Sequence, residues 1–427
     1  MRVTFLTQWF DPEPGAIRGL PLARELVRRG FDIEVVTGFP NYPDGRLYPG
    51  YRLRPWQREL VDGVSVLRVP LYPSHDRNPA HRIANYASFA LSSAVLGPLL
   101  TKPADVLYVY HPPPTIGAAA AAFRQTQGVP IVYHIADMWP ESAIESGMLG
   151  NGTLKAVAQA TLSAYCKWVY GQCAAITVLS PGFKRLLVER GVDAHRIHVV
   201  YNWADDDRFR PQTRDERLAG QLGMAGRFNV VYAGNVGPLQ GLETVVRAAV
   251  SLTGIPEIQI VIVGGGVDEQ RLRQLAVEIG ATNVHFLGRK SLDDMPAINA
   301  LADVLLVHLR DLPFFATTIP SKTQVALASG RPLLMAVAGD AADVVRAADA
   351  GLAVPPGDPL AMATAIRQLF AMPRPELERL GRQGHEYYKR TMSLSVGADH
   401  MAQLFRTVRA QESQQVRPPS PDRVCRA

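Results

Sequence analysis

The chain has 427 residues, 47% of them apolar and 20% charged, with a formal net charge of +6. That is apolar content for two cores and more than one ordinary domain needs. The modest positive excess suits phosphorylated ligands or anionic surfaces, yet no Lys/Arg block marks a nucleic-acid binder. Three cysteines, Cys166, Cys173 and Cys425, are too few and too scattered for a disulfide framework or a zinc site, which fits a reducing cytoplasm.

The opening Met1-Arg-Val-Thr-Phe-Leu6 reads as a first strand and lacks the features of a signal peptide. Strands are predicted at 3–7, 33–37, 64–69, 106–110, 131–134 and 175–179, with helical spacing in several of the gaps. The segment 20–30 ends on Gly30 and is the first crossover helix. From Ile83 to Thr101 no residue is charged, and the stretch is barely long enough to span a bilayer. Asn85, three serines and Pro98 favour a buried helix of the first domain over a span. A helix lying on a membrane is the intermediate case, with Arg77, Arg82 and Lys102 meeting headgroups.

A second strand series follows at 230–233, 258–263, 284–287, 304–309, 333–337 and 353–354. Alternating strands and helices imply parallel sheets covered on both faces. The expectation is therefore an α/β protein of two doubly wound, Rossmann-like domains facing across a cleft. The first spans 1–203 and the second 204–395; a helix at 396–410 follows, then a disordered tail at 411–427, too polar to fold. The triple Asp205-Asp-Asp207 lies in the turn-rich joining stretch and reads as a solvated turn.

Ligands bind beyond the carboxyl ends of strands in such sheets, so the loops there carry the candidates. After the first strand, Asp11-Pro-Glu-Pro-Gly-Ala-Ile-Arg18 feeds a helix whose amides suit a phosphate or an acceptor oxygen; a tight turn explains Gly15 equally well. Tyr232-Ala-Gly-Asn-Val-Gly-Pro-Leu-Gln-Gly-Leu-Glu243 is a strand-to-helix turn in which Gly234 and Gly237 permit close approach of a diphosphate. The glycines of 264–266 lack the dinucleotide spacing and read as mainly structural. In 314–324, the hydroxyls of Thr317, Thr318 and Ser321 with the ammonium of Lys322 make an anion pocket, although Thr318 or Ser321 could simply cap the helix. In the first half, Asp137, His134 and Glu141 offer acid/base or hydroxyl contacts and Trp139 offers a ring face for a pyranose. A histidine at a strand end is more often structural. The prolines of His111-Pro-Pro-Pro-Thr115 argue for a rigid wall.

Five stretches in order resemble glycosyltransferase family 4, which has the GT-B fold, and within it the bacterial polysaccharide enzymes of the colanic acid and fucosamine-transferase type. They are Trp9-Phe-Asp-Pro12 with Gly15 and Arg18, Gly38-Phe-Pro-Asn-Tyr-Pro-Asp-Gly45, Asp137-Met-Trp-Pro-Glu-Ser142, Ala233-Gly-Asn-Val-Gly237 with Gln240-Gly-Leu242, and Pro320-Ser-Lys322 with Gly330-Arg-Pro332. The resemblance extends to about residue 405. It implies a retaining hexosyltransferase whose donor is a nucleotide diphosphate sugar, UDP-linked by preference, with a plain, N-acetylated or deoxy hexose, and whose acceptor is a lipid-linked saccharide at the inner face of the plasma membrane. Gly234, Asn235, Val236, Gly237 and Gln240 would wrap the diphosphate, Arg289 and Lys290 would lie near base and phosphate, and Thr317, Thr318 and Ser321 would touch the donor sugar. Asp137, His134 and Lys322 would serve catalysis, with Gly15, Arg18, Trp139 and Glu141 on the acceptor side. The resemblance also implies domain closure, a C-terminal helix near 401–408 returning to the first domain, and no cofactor or metal, its place taken by cations and amides.

The chain departs from the family pattern. Thr317 and Val325 stand where many members carry a glutamate pair, and Asn235 and Gln240 stand where Arg and Lys usually hold the diphosphate. Lys322, Lys290 and Arg289 are the substitutes. Two rivals remain: a nucleotide-sugar epimerase of the same architecture, and a non-catalytic sugar-nucleotide-binding partner of an active transferase.

Overall fold

The computed structural model describes residues 1–14, 18–75, 78–111, 113–141 and 153–415. Two compact units divide the chain: Met1–Leu179 with Lys184–Val200 and Ala398–Ala427, and Ser180–Phe183 with Tyr201–Gly397. The expected tail start at 411 is corrected, because helical structure continues to Gln415; the rest of that segment lies outside the described residues.

In the first unit, strands β1 (Arg2–Thr7), β2 (Asp32–Gly38), β3 (Gln57–Val61), β4 (Val64–Val69), β5 (Val106–His111), β6 (Ile131–Ile135), β7 (Ala175–Val178) and β8 (Ile197–Val199) form one sheet in the order β3-β4-β2-β1-β5-β6-β7-β8. All pairs are parallel except β3 with β4. The central strands are mostly apolar and, apart from Arg2, buried along their length, as parallel sheets require. Two strands, β3 and the three-residue β8, fall outside the predicted set, although β3 has a signal. Asp62 and Gly63 both adopt positive φ, 48° and 83°, in the two-residue hairpin turn that Asp-Gly favours. Along β3, half-buried and exposed residues alternate, as in an edge strand.

Helices α1 (Leu20–Arg28), α2 (Pro79–Leu100), α3 (Ile116–Gln127) and α4 (Thr153–Gln172) cover this sheet, with α5 (Pro181–Glu189) after β7. Asn78 caps α2 by accepting from the Ala80 N–H at 3.0 Å, which satisfies one of the free amides at the helix start. The preference for a buried α2 is corrected. Most of the helix is not buried, and Leu91 and Leu99 are 69% and 74% exposed. Ile83, Ala87, Leu91, Val95 and Leu99 recur every fourth residue, so they form one apolar stripe open to solvent. Asn85 faces inward instead. It accepts from Gln8 Nε2 at 2.6 Å and donates to the Tyr72 carbonyl at 2.7 Å and to Asn41 Oδ1 at 3.3 Å. These bonds satisfy its buried amide.

In the second unit, β9 (Phe228–Ala233), β10 (Ile258–Val263), β11 (Val284–Gly288), β12 (Val304–His308), β13 (Leu333–Ala336) and β14 (Gly351–Ala353) form an all-parallel sheet in the order β11-β10-β9-β12-β13-β14. Alternation along each strand feeds two cores. Val231, Val261, Val263, Leu305 and Val307 face one; Val230, Tyr232, Ile260, Ile262 and Leu306 face the other. Helices α6 (Glu216–Gln221), α7 (Glu243–Val250), α8 (Glu269–Glu278), α9 (Met295–Leu301), α10 (Ser321–Ala328), α11 (Asp340–Ala347), α12 (Pro359–Ala371) and α13 (Arg374–Thr391) complete the unit. The final helix, α14 (Leu394–Gln415), lies from Ala398 onward in the first unit, where Phe405 meets Phe31 and Arg409 pairs with Asp105 at 3.1 Å. Asp206 corrects the solvated-turn reading. Its carboxylate accepts from the Tyr388 hydroxyl and from the Leu394 N–H at 3.1 Å, binding the joining stretch to the last helices of this unit.

Candidate active site

A cavity of about 500 Å³ opens beside the carboxyl ends of β9 and β10 in the second unit. Val231, Val263, Leu305 and Val307 make an apolar floor, and the mouth is lined by Gly234, Asn235, Gly264, Gly265, Arg289, Lys290, Ser321 and Lys322. Its size is in the usual ligand range of roughly 300–1,000 Å³.

Lys322 gives the mouth its chemistry. Its side chain lies directly over Gly234: a Cβ at that position would come within 2.3 Å of Cε and 2.8 Å of Nζ. The Lys322 ammonium also sits 5.3 Å from the centre of the Tyr232 ring, within reach of a cation–π attraction. Among the described residues no carboxylate neutralises it, and loss of water depresses its pKa below the ordinary lysine value. A partly buried cation without a counter-charge is a standing demand for an anion. Arg289 and Lys290 are exposed at the same mouth.

The glycines explain how the loops reach this shape. Gly264 has φ +139°, and a Cβ there would lie 1.8 Å from the Gly234 carbonyl oxygen. The two loops are stitched by Gly234 N–H to Val263 O at 2.8 Å, Val236 N–H to Gly265 O at 3.1 Å and Asp268 N–H to Val236 O at 3.1 Å. The glycines of 264–266 are thus structural as expected, and two of them also line the cavity.

Several expected donor contacts are corrected. The helix after β9 does not aim its amides at the cavity, because a 3-10 turn at Pro238–Gln240 intervenes and α7 begins only at Glu243. Glu243 occupies that helix start and pairs with Arg247 and Arg271. The helix start that reaches the cavity is that of α10, whose N-cap Pro320 supplies no side-chain bond, so neither Thr318 nor Ser321 acts as its cap. Val236 is fully buried with its N–H engaged, and Gly237 is extended at φ −137°. Gln240 braces the loop: its Oε1 accepts from Asn235 Nδ2 at 3.2 Å and its carbonyl meets His308 Nδ1 at 2.7 Å. Thr317 and Thr318 direct their hydroxyls to the carbonyls of Phe314 and Phe315, at 2.7 Å and 3.0 Å, and neither lines the cavity. Ser321 does.

Asn299 is a cavity residue that the sequence does not reveal. It is 2% exposed on α9, lines the cavity, and has an Oδ1 without a partner among the described residues, while its Nδ2 reaches Ser329 Oγ at 3.4 Å. An asparagine inside an apolar helix carries no signal of such a position.

In the first unit the expected cluster separates. His134 lies within β6, wholly buried, with Nδ1 2.7 Å from Thr177 Oγ1 and its ring stacked on Tyr110 at 5.6 Å. It is corrected from a catalytic candidate to a core residue. Arg18 is also corrected: it is 1% exposed and donates to the Val200 carbonyl at 2.6 Å, so it braces the unit from inside. Gly15, Arg77 and Ser142 lie outside the described residues. Asp137 is exposed on the loop after β6, and the surrounding protein raises its carboxyl pKa by desolvation. Trp139 and Glu141 are held by Arg190, which donates to the Trp139 carbonyl at 2.9 Å and pairs with Glu141 Oε1.

Two open parallel sheets with a glycine-walled, lysine-crossed cavity in the second define a GT-B glycosyltransferase. The comparisons agree: the Glycosyl transferase 4-like domain matches residues 17–203 and the Glycosyl transferases group 1 domain matches residues 227–372. The chain belongs to the glycosyltransferases that join these two domains. It is 28% identical over 361 residues to the protein assigned as colanic acid biosynthesis glycosyl transferase WcaI of Escherichia coli, covering 82% of this chain and 86% of that one. Among solved structures, Anabaena Alr3699/HepE in complex with UDP superposes with a TM-score of 0.69 at 17% identity, over 95% of this chain and 100% of that one. WaaG, a glycosyltransferase involved in lipopolysaccharide biosynthesis, gives 0.63 at 17% identity, over 94% and 99%.

Proposed function

We propose that this enzyme transfers a hexosyl group, with retention, from a UDP-linked sugar to a lipid-linked saccharide during surface polysaccharide synthesis. The observation that carries the reading is the unneutralised Lys322 ammonium laid over Gly234 at the mouth of an apolar-floored cavity. A base fits the floor, and a diphosphate supplies the anion that the mouth lacks. The relative WcaI, with its role in colanic acid biosynthesis, and the UDP complex of HepE support the class of product and donor.

In the proposed reaction the bond from the sugar C1 to the β-phosphate oxygen breaks while the acceptor oxygen bonds C1 from the same face, and the departing phosphate takes the acceptor proton. Lys322, Arg289 and Lys290, with the first amides of α10, would stabilise the charge that develops on the diphosphate, without a metal. The exposed stripe of α2, flanked by Arg82 and Lys102, suits peripheral attachment to the inner membrane face, where lipid-linked acceptors are presented.

A thermal-shift measurement with UDP and UDP-sugars tests the donor assignment. A ligand bound only by the folded state raises the midpoint, and Lys322→Ala should remove that rise. No response to any nucleoside diphosphate would overturn it. A change in the sugar without acceptor would favour the epimerase.

A further inference from the structure

Another cavity, of about 320 Å³, lies wholly in the second unit, beside the amino ends of β12 and β13 and away from the strand ends that hold Lys322. It shares no lining residue with the Lys322 cavity. Its wall is crowded with arginine. Arg214, Arg331, Arg374 and Arg382 face only two carboxylates, Asp303 and Glu378, which leaves a surplus of two positive charges.

Close backbone packing brings these groups together. A Cβ on Gly381 of α13 would lie 2.3 Å from the Gly330 carbonyl oxygen and 3.4 Å from Arg331 Cα. Only glycine lets the helix approach the turn after α10 so closely, and Arg382 is the next residue along that helix. The carboxylates are already engaged elsewhere. Asp303 Oδ1 accepts from Arg374, while its Oδ2 accepts from the Asn229 N–H at 2.8 Å and lies 3.9 Å from Arg214. Glu378 lies 3.5 Å from Arg374. Arg214 is tied as well to Glu216 at 2.8 Å and to the carbonyls of Leu301 and Met224. Arg214 and Arg374 are therefore braces of the fold.

Arg331 and Arg382 are left over. Arg331 donates to the Gln212 carbonyl at 3.0 Å, and neither arginine forms an ion pair among the described residues. Loss of water, with the neighbouring Arg374, pushes the Arg331 pKa below the ordinary arginine value despite the pull of Asp303. The carbonyl end of α10, at Ser329, offsets only about half a charge. An anion from solution relieves this repulsion, and the fork of a guanidinium pairs two phosphate oxygens at once. A surplus of two charges matches a phosphate dianion, whereas one carboxylate would meet half of it. Exposed Gln212 and Thr213 at the rim suit neutral polar groups. The volume is at the small end of the ligand range of roughly 300–1,000 Å³, which fits a phosphorylated small molecule better than a nucleotide sugar.

We propose that this cavity binds a small phosphate-bearing molecule, its anionic group held between Arg331 and Arg382. The site stands apart from the donor cavity and does not rest on the transferase reading.

Isothermal titration calorimetry on the full chain tests it, with inorganic phosphate, pyrophosphate and glucose 1-phosphate as probes in chloride buffer of matched ionic strength. The chain carries Lys322→Ala, so that the central cation of the other cavity does not contribute. At least one probe should bind. Tightest binding of an inorganic ion identifies a free anion as the ligand; tightest binding of glucose 1-phosphate identifies the head of a phosphorylated sugar. Adding Arg331→Gln should weaken binding about tenfold or more, and adding Arg382→Gln about tenfold. Arg382 is exposed, so its loss should leave folding intact, and each arginine substitution made alone should keep the thermal response to UDP. No binding of any probe by the Lys322→Ala chain, or binding that Arg382→Gln leaves unchanged, would overturn the site.

Discussion

The two loops that the sequence marks as richest in chemistry, 232–243 in the second unit and 133–142 in the first, meet different fates. Gly234 and Lys322, far apart in the chain, converge because one lacks a side chain where the other must pass. His134 and Asp137, close neighbours in the chain, diverge: the histidine points into the sheet core, whereas the aspartate is on the exposed loop after it with its carboxyl partly desolvated. Proximity in sequence at a strand end is a poor guide, because side chains alternate across a strand and the last strand residues still belong to the core. A glycine with positive φ beneath a distant cation is the better mark of a site.

The same two glycine loops offer the sharpest way to break this comparison. Gly264→Ala puts a methyl group 1.8 Å from the backbone oxygen of Gly234, at φ +139°. Backbone cannot step aside, so the variant should lose roughly 3 kcal/mol or more of stability, seen as a lower urea midpoint. Gly234→Ala meets instead the far end of the Lys322 side chain, at 2.3 Å. That chain can swing away. The variant should fold, with strain of about 1–3 kcal/mol, and should lose most of its UDP response because the ammonium is displaced. Equal unfolding in both variants would mean that the two glycines have one structural role.

How much of the molecule is legible in its sequence depends on range. Both sheets and most of their strand positions are readable because fully buried strands are written as runs rich in β-branched residues, such as Ile258–Val263. The hairpin strand β3 escapes because its five residues, Gln-Arg-Glu-Leu-Val, are mostly polar, although the Asp62-Gly63 turn announces it. Lys322, Arg289 and Lys290 are recognisable as compensating cations for the positions filled by Asn235 and Gln240. Asn299 is beyond reach as a cavity residue, because the place of a buried polar side chain depends on packing between elements distant in sequence.

The helices α2 and α10 contrast in the same way: one opens an apolar stripe to solvent, the other buries most of its residues. Binding to vesicles containing anionic phospholipid sharpens that difference. Leu91→Glu with Leu99→Glu changes two side chains that are 69% and 74% exposed, so folding should be little affected. Co-sedimentation should fall about tenfold or more, since two apolar contacts of roughly 1.5 kcal/mol each are lost. Unchanged sedimentation would leave the stripe without a lipid role.

Titration separates the two loops further. The depressed Lys322 pKa means that binding an anion there draws the lysine pKa back up, so UDP binding takes up protons. Affinity should therefore decline as pH climbs through the lowered Lys322 pKa toward the ordinary lysine range, and Lys322→Arg, which stays charged, should flatten the profile. A pH-independent wild type would show that Lys322 is not the responding group.

The smallest effect is expected at Asp137, and its sign is opposite to that of an ordinary ion-paired carboxylate. Desolvation raises its folded pKa above the ordinary value of 3.8. The folded state thus holds the proton more tightly than the unfolded chain, and ionisation destabilises the fold as pH rises from about 4 through the raised pKa. Asp137→Asn removes that charge. Its melting temperature should match the wild type near pH 3.5 and exceed it at pH 7, by no more than about 2 °C because the carboxyl keeps part of its water. If transfer activity falls in the same variant, the carboxylate is retained for its chemistry at the expense of stability, which is what separates it from His134. A variant less stable than wild type at neutral pH would instead make Asp137 a structural acceptor.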